Sequence, residues 1–410
     1  YQRAARGETD RQLLCGAGTY AAVSGCGEVR VWTNEMLLTR ENGEGLYLHL
    51  CDLDSGARTV LGRSGRIIYG MGAAEIRETL GELEARLRIY ISPETGALYQ
   101  QVTLENRAAE ARSAVLTGCM AAALAPEGDM RAHPAFQNLF VHSALAGDYA
   151  VKLWRRARGG ESKRLGMCYG ATGGTLEFET DRERLTGRTG HVGRAGGIAM
   201  PLSNTVGAVL DPCAAIAVRA TLAAGARAEI CFTLLPDADA QGFDALLTPE
   251  AQARAARMAA AHAMALMNYL EMDGRMAKLA QRAAALLLQP RLRTPNGAPG
   301  ADGVSVSREA LWRVGISGDH PILLAEIPAD PAQLQVRDMV KLCRFYREMG
   351  LKTDLVLMSH QAGDYQQAQL RMLNDLLPEN DGRGASVAVD AAQLNEGSLT
   401  ALRRCAALRF

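Results

Sequence analysis

The sequence predicts a mixed architecture: a large antiparallel β-sandwich, a helical linker, then a small α/β domain. Three observations carry this. Period-two alternation recurs through residues 1–247, helix-forming sequence replaces it near Thr248, and past Ser307 strand-length apolar runs alternate with helical ones. At 410 residues the chain is longer than one ordinary domain.

The clearest strand signal is Leu83, Ala85, Leu87, Ile89 and Ile91, alternating with Glu84, Arg86, Arg88 and Tyr90. Pro93-Glu94-Thr95-Gly96 reads as a turn into a second strand, Leu98 to Glu105, so the pair forms a hairpin. Further strands are expected at 29–33, 46–52, 114–121, 150–155, 175–180, 214–221 and 226–234. Many short strands joined by Gly-rich turns indicate a sandwich.

Residues 248–290 read as the helical linker. Thr248 and Pro249 suit an N-cap and first helical position, and Asp273-Gly274 breaks the segment into two helices. Its methionines (258, 264, 267, 272, 276) are expected to pack in a core. The Pro- and Gly-rich stretch 291–307 reads as a flexible loop. Residues 308–410 then alternate: strand Ile322–Ile327, helix Pro331–Met349 ending at Gly350, strand Leu351–Met358, helix Tyr365–Leu377, strand Ser386–Asp390 and a final helix from Leu394. Strands linked by helices imply a parallel sheet, with the chain ending in or just after that last helix.

Forty-five basic and forty-five acidic residues cancel, which argues against a general nucleic-acid surface. No run is long and apolar enough to span a bilayer, so no membrane contact is expected from this segment. The polar start without an initiator Met suggests upstream sequence. Nine cysteines without a CxxC, several in apolar runs, read as reduced thiols in a cytoplasmic protein. No metal site and no cofactor are expected.

Several segments resemble the repeated region of cyclic β-1,2-glucan synthases and the related 1,2-β-oligoglucan phosphorylases of glycoside hydrolase family 94. They are PLSNTVGAVLDP (201–212), AHPAFQNLFV (132–141), FETDRERLTGR (178–188), LWRVGISGDHPILL (311–324) and CRFYREMGLKTDLVLMS (343–359), in the family's order. The chain departs at LLCGAGTY (13–20), where the family reads close to LLSNGRY, and at TGCMAA (117–122). The resemblance implies a galactose mutarotase-like supersandwich, helices and a small α/β insert, followed in large members by a second sandwich and an (α/α)6 barrel carrying the catalytic acid and phosphate site. The chain resembles the first three modules, so no catalytic residue is expected in it. Its implied partners are the other modules of a parent enzyme, which may be anchored in the inner membrane, and β-glucan.

Glycoside cleavage needs two flanking carboxylates, or one acid plus phosphate. Asp181, Glu183, Asp211 and Asp319 are the candidates, each with a structural alternative: Asp211 on nearby backbone, Asp319 capping a turn or pairing with Arg313. For sugar contact, His133, Phe136 and Asn138 form a polar-aromatic cluster, and Ser203 and Asn204 a second candidate. The alternatives are a loop stapled into the core by Phe136, Leu139 and Phe140, and a closed loop at Ser203. GRTGHVGRAGG (187–197) offers cations and glycines for an anion, but lacks strand-before, helix-after placement and reads as a mobile surface loop. Trp32, Trp154 and Trp312 are scattered, so no aromatic platform is expected, and Trp312 is assigned to anchoring the linker. Three functions remain: a substrate-positioning region, an autonomous β-1,2-glucan-binding module, or a hydrolase or transglycosylase with a carboxylate pair on the sandwich.

Overall fold

The computed structural model describes residues 2–3, 11–34, 36–41, 43–148, 150–156, 165–173, 176–194, 196–237, 242–288, 308–328, 333–361, 368–379 and 382–410. The loop expected at 291–307 lies outside them. The chain forms two compact units, Tyr1–Ala265 and Leu266–Phe410.

The first unit opens with β1 (Gln2–Arg3), β2 (Arg11–Gly16), β3 (Thr19–Ser24), β4 (Val29–Thr33), β5 (Leu37–Thr39) and β6 (Tyr47–Asp52). Next come β7 (Arg58–Val60), β8 (Arg66–Gly70), β9 (Ala73–Leu80), β10 (Leu83–Ile91), β11 (Leu98–Asn106) and β12 (Arg112–Ala125). Two short helices, α1 (Glu127–Ala132) and α2 (Pro134–Asn138), lead into β13 (Val141–Leu145), β14 (Ala150–Arg155), β15 (Gly166–Ala171) and β16 (Leu176–Asp181). The unit closes with α3 (Arg182–Thr186), β17 (Pro212–Leu222), β18 (Arg227–Leu235), α4 (Phe243–Leu246) and α5 (Pro249–Tyr269), the last running into the second unit.

These strands make two antiparallel sheets. One is ordered β1-β8-β9-β10-β11-β18-β15-β14-β13, the other β16-β17-β12-β5-β4-β3-β2 with β6 and β7 joined to β12. Period-two sequence explains the sandwich: Leu83, Ala85, Leu87 and Ile89 point into the same core as Ala114, Leu116 and Met120 of the opposite sheet. β10 and β11 pair along their whole length, from Leu83–Asn106 to Ile91–Leu98, as the hairpin signal requires. Tyr90, on the outward side of the alternation, is nevertheless fully buried. It stacks on Tyr99 and donates to Gln252 O of α5 at 3.1 Å, because α5 covers that face.

β12 is apolar on both sides for the same kind of reason. Its outer face, with Val115 and Cys119, is covered by Leu185, Val192, Ile198 and Leu202. The Gly-rich segment expected to be a mobile surface loop is therefore packed: Val192 is buried, and Arg182, His49 and Arg63 hold the carbonyls of Gly190, Val192 and Gly193.

The second unit contains α6 (Gly274–Leu287), α7 (Arg308–Trp312), β19 (Ile322–Ile327), α8 (Gln333–Glu348), β20 (Asp354–Ser359), α9 (Ala368–Leu376), β21 (Ser386–Asp390), α10 (Glu396–Cys405) and β22 (Ala406–Arg409). The helix break is real: Asp273 caps α6 by accepting from Met276 N at 2.8 Å. The sheet is parallel, ordered β21-β20-β19-β22. Its fourth strand corrects the expectation that the chain ends in helix: Ala406 turns to φ −63°, ψ 121° after Cys405, and Leu408 and Arg409 pair with β19. Of the linker methionines, Met267, Met272 and Met276 are buried, while Met258 and Met264 are exposed. All nine cysteines are free thiols.

Candidate functional site

The site grows outward from a fault in β12. Ala122 pairs with Thr39 and Ala125 with Leu37, with a register shift between them, and Leu124 adopts φ 47°. A bulge releases ladder carbonyls, and buried carbonyls need donors. Arg40 Nε donates to Ala122 O at 3.1 Å, and Arg155 Nη1 to Leu124 O at 3.4 Å. Helix α2 in turn holds both guanidiniums. Asn138 Oδ1 accepts from Arg40 Nη2 at 3.2 Å, and Gln137 Oε1 from Arg155 Nη2 at 2.6 Å.

Asn138 is thus a buried structural acceptor. His133 is exposed and acts through its main chain, joining α1 to α2: its N donates to Asp129 O at 3.0 Å and its O accepts from Gln137 N at 3.2 Å. Docking α2 this way turns its other side outward. Phe136 is 52% exposed and Leu139 is 54% exposed, which corrects the expectation that these two staple the segment into the core. The helix is fastened by its amides instead.

Phe136 meets Phe140 edge-on, with centroids 5.0 Å apart. The guanidinium carbons of Arg155 and Arg156 lie 5.0 and 5.7 Å from the Phe140 centroid. Along β13 the next outward residue is His142. It sits opposite Trp154 of β14, with rings 5.8 Å apart and 21° from parallel, and Lys152 Nζ lies 5.7 Å from the Trp154 centroid. Phe136, Phe140, His142 and Trp154 with Lys152 and Arg156 form an aromatic-cationic strip beside the edge strand of the first sheet, while Arg155 is buried beneath it and spent on Leu124 O and Gln137. Rings flanked by hydrogen-bond donors suit stacking on a sugar face while bonding its hydroxyls.

The second candidate segment closes a loop. Asn204, at φ 55°, donates its N to Phe178 O and accepts from Phe178 N through Oδ1, both at 2.9 Å, extending the β16 pairing with its side chain. Ser203 Oγ donates to the buried Glu179, whose other oxygen accepts from Thr180 N and Asp181 N at 2.9 Å.

Three of the four candidate carboxylates bond within the scaffold; the fourth, Glu183, is exposed, with its main-chain N on Asp181 and its O accepting from Gly187 N. Asp181 caps α3 by accepting from Glu183 N at 3.0 Å. Asp211 pairs with Arg40 at 2.5 Å and Arg182 at 2.7 Å, not with nearby backbone as expected. Asp319 pairs with Arg308 at 3.4 Å instead of Arg313. Glu44 accepts from His191 Nε2 at 3.2 Å. Burial pushes the Glu44 carboxyl up, against the pull of His191, Arg182 and Arg40. His49 is buried and donates to Val192 O at 2.7 Å, and burial lowers its pKa to about 4, so it is a neutral donor. Trp312 is 60% exposed and bonds only locally, to Ser317 O at 3.2 Å, so it is not a buried anchor. Among the described residues no three His, Cys, Asp or Glu side chains converge to hold a metal. Among the same residues no helix is long and apolar enough to cross a membrane.

The strip is what the sequence reading missed. Val141 and Ser143 inward with His142 outward, and Val151 and Leu153 inward with Lys152 and Trp154 outward, is a hairpin alternation that places His142 and Trp154 on one face. Counting tryptophans along the chain does not reveal that pairing.

Residues 30–261 match the family described as glycosyl hydrolase 94, supersandwich domain. The chain is 25% identical over 391 residues to the cyclic beta-(1,2)-glucan synthase NdvB of Rhizobium meliloti (strain 1021), a match covering 90% of this chain and 14% of that protein. Among solved structures, a bacterial glucoamylase complexed with acarbose overlays with TM-score 0.41 at 7% identity, over 69% of this chain and 40% of that one. A putative kojibiose phosphorylase from human microbiome overlays with TM-score 0.38 at 8% identity, over 70% of this chain and 41% of that one.

Proposed function

The chain belongs to the glycosyl hydrolase 94 supersandwich family, and on that premise we propose that it is an architectural and substrate-positioning region of a β-1,2-glucan-handling enzyme, not catalytic by itself. The supporting observation is a division of labour. Asn138, Asp181, Ser203, Asn204 and Asp211 are tied into the scaffold, whereas the aromatic strip faces solvent with Phe136 half exposed. Hydrolysis of a glycosidic bond uses two flanking carboxylates, and phosphorolysis one acid plus phosphate. Asp211, met by two guanidiniums, and Asp181, spent as a helix cap, are poor members of such a pair.

On this reading the partners are β-glucan and the other modules of the parent enzyme, with no nucleic acid and no membrane contact from this segment. The same reading takes this segment as cytoplasmic. The strip also favours the second reading, an autonomous glucan-binding module, and affinity separates the two. Titration of the chain with linear β-1,2-glucan oligosaccharides, followed by NMR shifts and heat, is expected to give weak, millimolar binding that perturbs Trp154. Micromolar binding favours the autonomous module, and silence at millimolar sugar removes positioning from the proposal. Cleavage and phosphorolysis assays are expected to be blank, and robust turnover overturns the reading.

A further inference from the structure

The Gly-rich segment 187–194 covers the outer face of β12 without joining a sheet. Among the described residues its own N–H groups make only local turns: Gly187 N to Glu183 O, Gly190 N to Gly187 O and Arg194 N to His191 O. No ladder pairs it with a strand. It is held down by the buried side chain of Val192 and by donors from the sandwich, Arg182 on Gly190 O, His49 on Val192 O and Arg63 on Gly193 O. A strap fastened by side chains alone opens at lower cost than a paired strand. Under it lie the fully buried thiols of Cys119 and Cys213, with Cys119 Sγ 3.8 Å from Val192 O.

One group beneath the strap is left short of a partner. Glu44 is fixed to β12 by its main chain, its O accepting from Ala121 N at 3.1 Å. Its carboxyl meets the strap at His191, whose Nε2 lies 3.2 Å from Oε1. His191 Nδ1 accepts from Gly193 N at 3.4 Å, which leaves the ring proton on Nε2, toward Glu44. Glu44 Oε2 is buried and has no hydrogen-bond partner among the described residues. The other charged and titratable groups facing it are Arg182 of α3, 4.0 Å away, Arg40 after β5, Asp211 before β17 and Cys119 of β12. Both guanidiniums are bonded to Asp211. An unmet oxygen costs more on a buried carboxylate than on a neutral carboxyl, and burial pushes Glu44 above its ordinary value despite the nearby cations. Lifting the strap takes His191 away and lets water reach Oε2, which removes that preference for the proton.

We infer that docking of the 187–194 strap is coupled to a proton on Glu44: the neutral carboxyl keeps the strap down, and the carboxylate favours lifting it off Cys119 and Cys213. The inference does not rest on glucan binding. By linkage, the Glu44 contribution to the docked state is complete below pH 4.5 and is lost as pH rises through its raised value. His49 titrates the other way under the same strap, so the test compares two proteins that both carry it. Hydrogen exchange of the strap peptide, read by mass spectrometry, is followed in the full chain and in Glu44→Gln from about pH 5 to 8. The ratio of strap opening, parent over variant, cancels His49 and the intrinsic pH dependence of exchange. It is expected to rise with pH, by at most about tenfold per unit, the limit for one proton, and then to level off. Reaction of the Cys119 and Cys213 thiols with an alkylating reagent, located by peptide, is expected to follow the same ratio. The β10–β11 hairpin should exchange alike in both proteins. Three results overturn the inference. One is a ratio that does not change with pH. Another is a strap more open in Glu44→Gln than in the parent at about pH 8, which would make the carboxylate the fastening through His191. The third is a hairpin that shows the same ratio, which would assign the coupling to global unfolding.

Discussion

The two units solve the same problem, orphaned strand carbonyls, in different ways. In the sandwich, antiparallel hairpins return the chain and satisfy most strand groups locally, and charged side chains collect carbonyls in the segment covering β12 and at the β12 bulge. There Arg40 and Arg155 collect Ala122 O and Leu124 O. In the α/β unit every strand starts at the same edge, where Thr353 O enters β20 with no backbone donor among the described residues and Ala385 O accepts from Leu355 N at 2.9 Å. Arg347, only 2% exposed, supplies the missing donor: Nε and Nη2 donate to Thr353 O at 3.2 and 2.9 Å, and Nη2 also reaches Ala385 O and Ser386 Oγ at 3.0 Å. A parallel sheet concentrates its edge requirement on one residue, and an antiparallel sandwich spreads it over turns.

That contrast is most directly broken at Arg347. Arg347→Met is expected to cost about 2–4 kcal/mol, because it orphans the buried Thr353 O and takes a donor from Ser386 Oγ, while Ala385 O keeps Leu355 N. Urea unfolding of the chain measures it, and a loss under about 1 kcal/mol would show that water replaces the guanidinium freely.

Acid separates the units in another way. His49 in the sandwich is held neutral, with its pKa lowered from 6.5 to about 4 by burial. The unfolded chain binds the extra proton first, so this stability is present above pH 6.5 and is lost as pH falls from 6.5 through 4, roughly 3 kcal/mol in all. Glu44, pushed up by burial, opposes that loss near its own titration, so the difference between parent and His49→Gln is the quantity to follow. The variant is expected to flatten the slope across that window; an unchanged slope refutes the assignment. In the α/β unit the corresponding group is Glu326, held at about 2 chiefly by hydrogen bonds from Arg403. Its contribution is present above pH 4.5 and is lost as pH falls from 4.5 through 2. Arg403→Ala is expected to weaken the dependence there, with Arg409 and His360 keeping part of it, and to leave the His49 window untouched.

Packing between the two sheets sharpens the picture of a closely filled antiparallel core. A Cβ on Gly118 would sit 1.9 Å from the buried Tyr169 Oη, which bonds Gln100 Oε1 at 3.3 Å. Gly118→Ala is expected to cost about 1–3 kcal/mol. Adding Tyr169→Phe should recover part of it, a non-additive pair in equilibrium unfolding. Strict additivity would mean that the backbone moves instead of the ring.

The smallest effects belong to the strip. Phe136→Ala and Trp154→Ala are expected to weaken oligosaccharide binding about three- to tenfold each. Their effect on folding should be about 1 kcal/mol or less, since both rings lie at the surface. Equal binding by parent and both variants would move any sugar contact elsewhere on the sandwich.

Much of the fold was legible from local pattern. The Leu83–Ile91 alternation, the Pro93–Gly96 turn, the Asp273-Gly274 helix break and the apolar run Ile322–Ile327 each follow from periods and caps within a dozen residues. β22 was hidden because AALR continues the composition of the helix before it, and its strand state comes from an open edge of β19. Asn138 and Ser203 read as surface polar residues, and their actual partners, Arg40 and Glu179, lie 98 and 24 positions away.

By itself the sequence determined what short-range physics encodes: which segments are strands or helices, where the chain turns, and which face of each strand is apolar. Tertiary structure decided which groups meet. Pairing His142 with Trp154, bringing Arg40 to the β12 bulge and laying His191 against Glu44 all depend on register, strand order and bulges. Those are set by long-range pairings, whose partners no local period names.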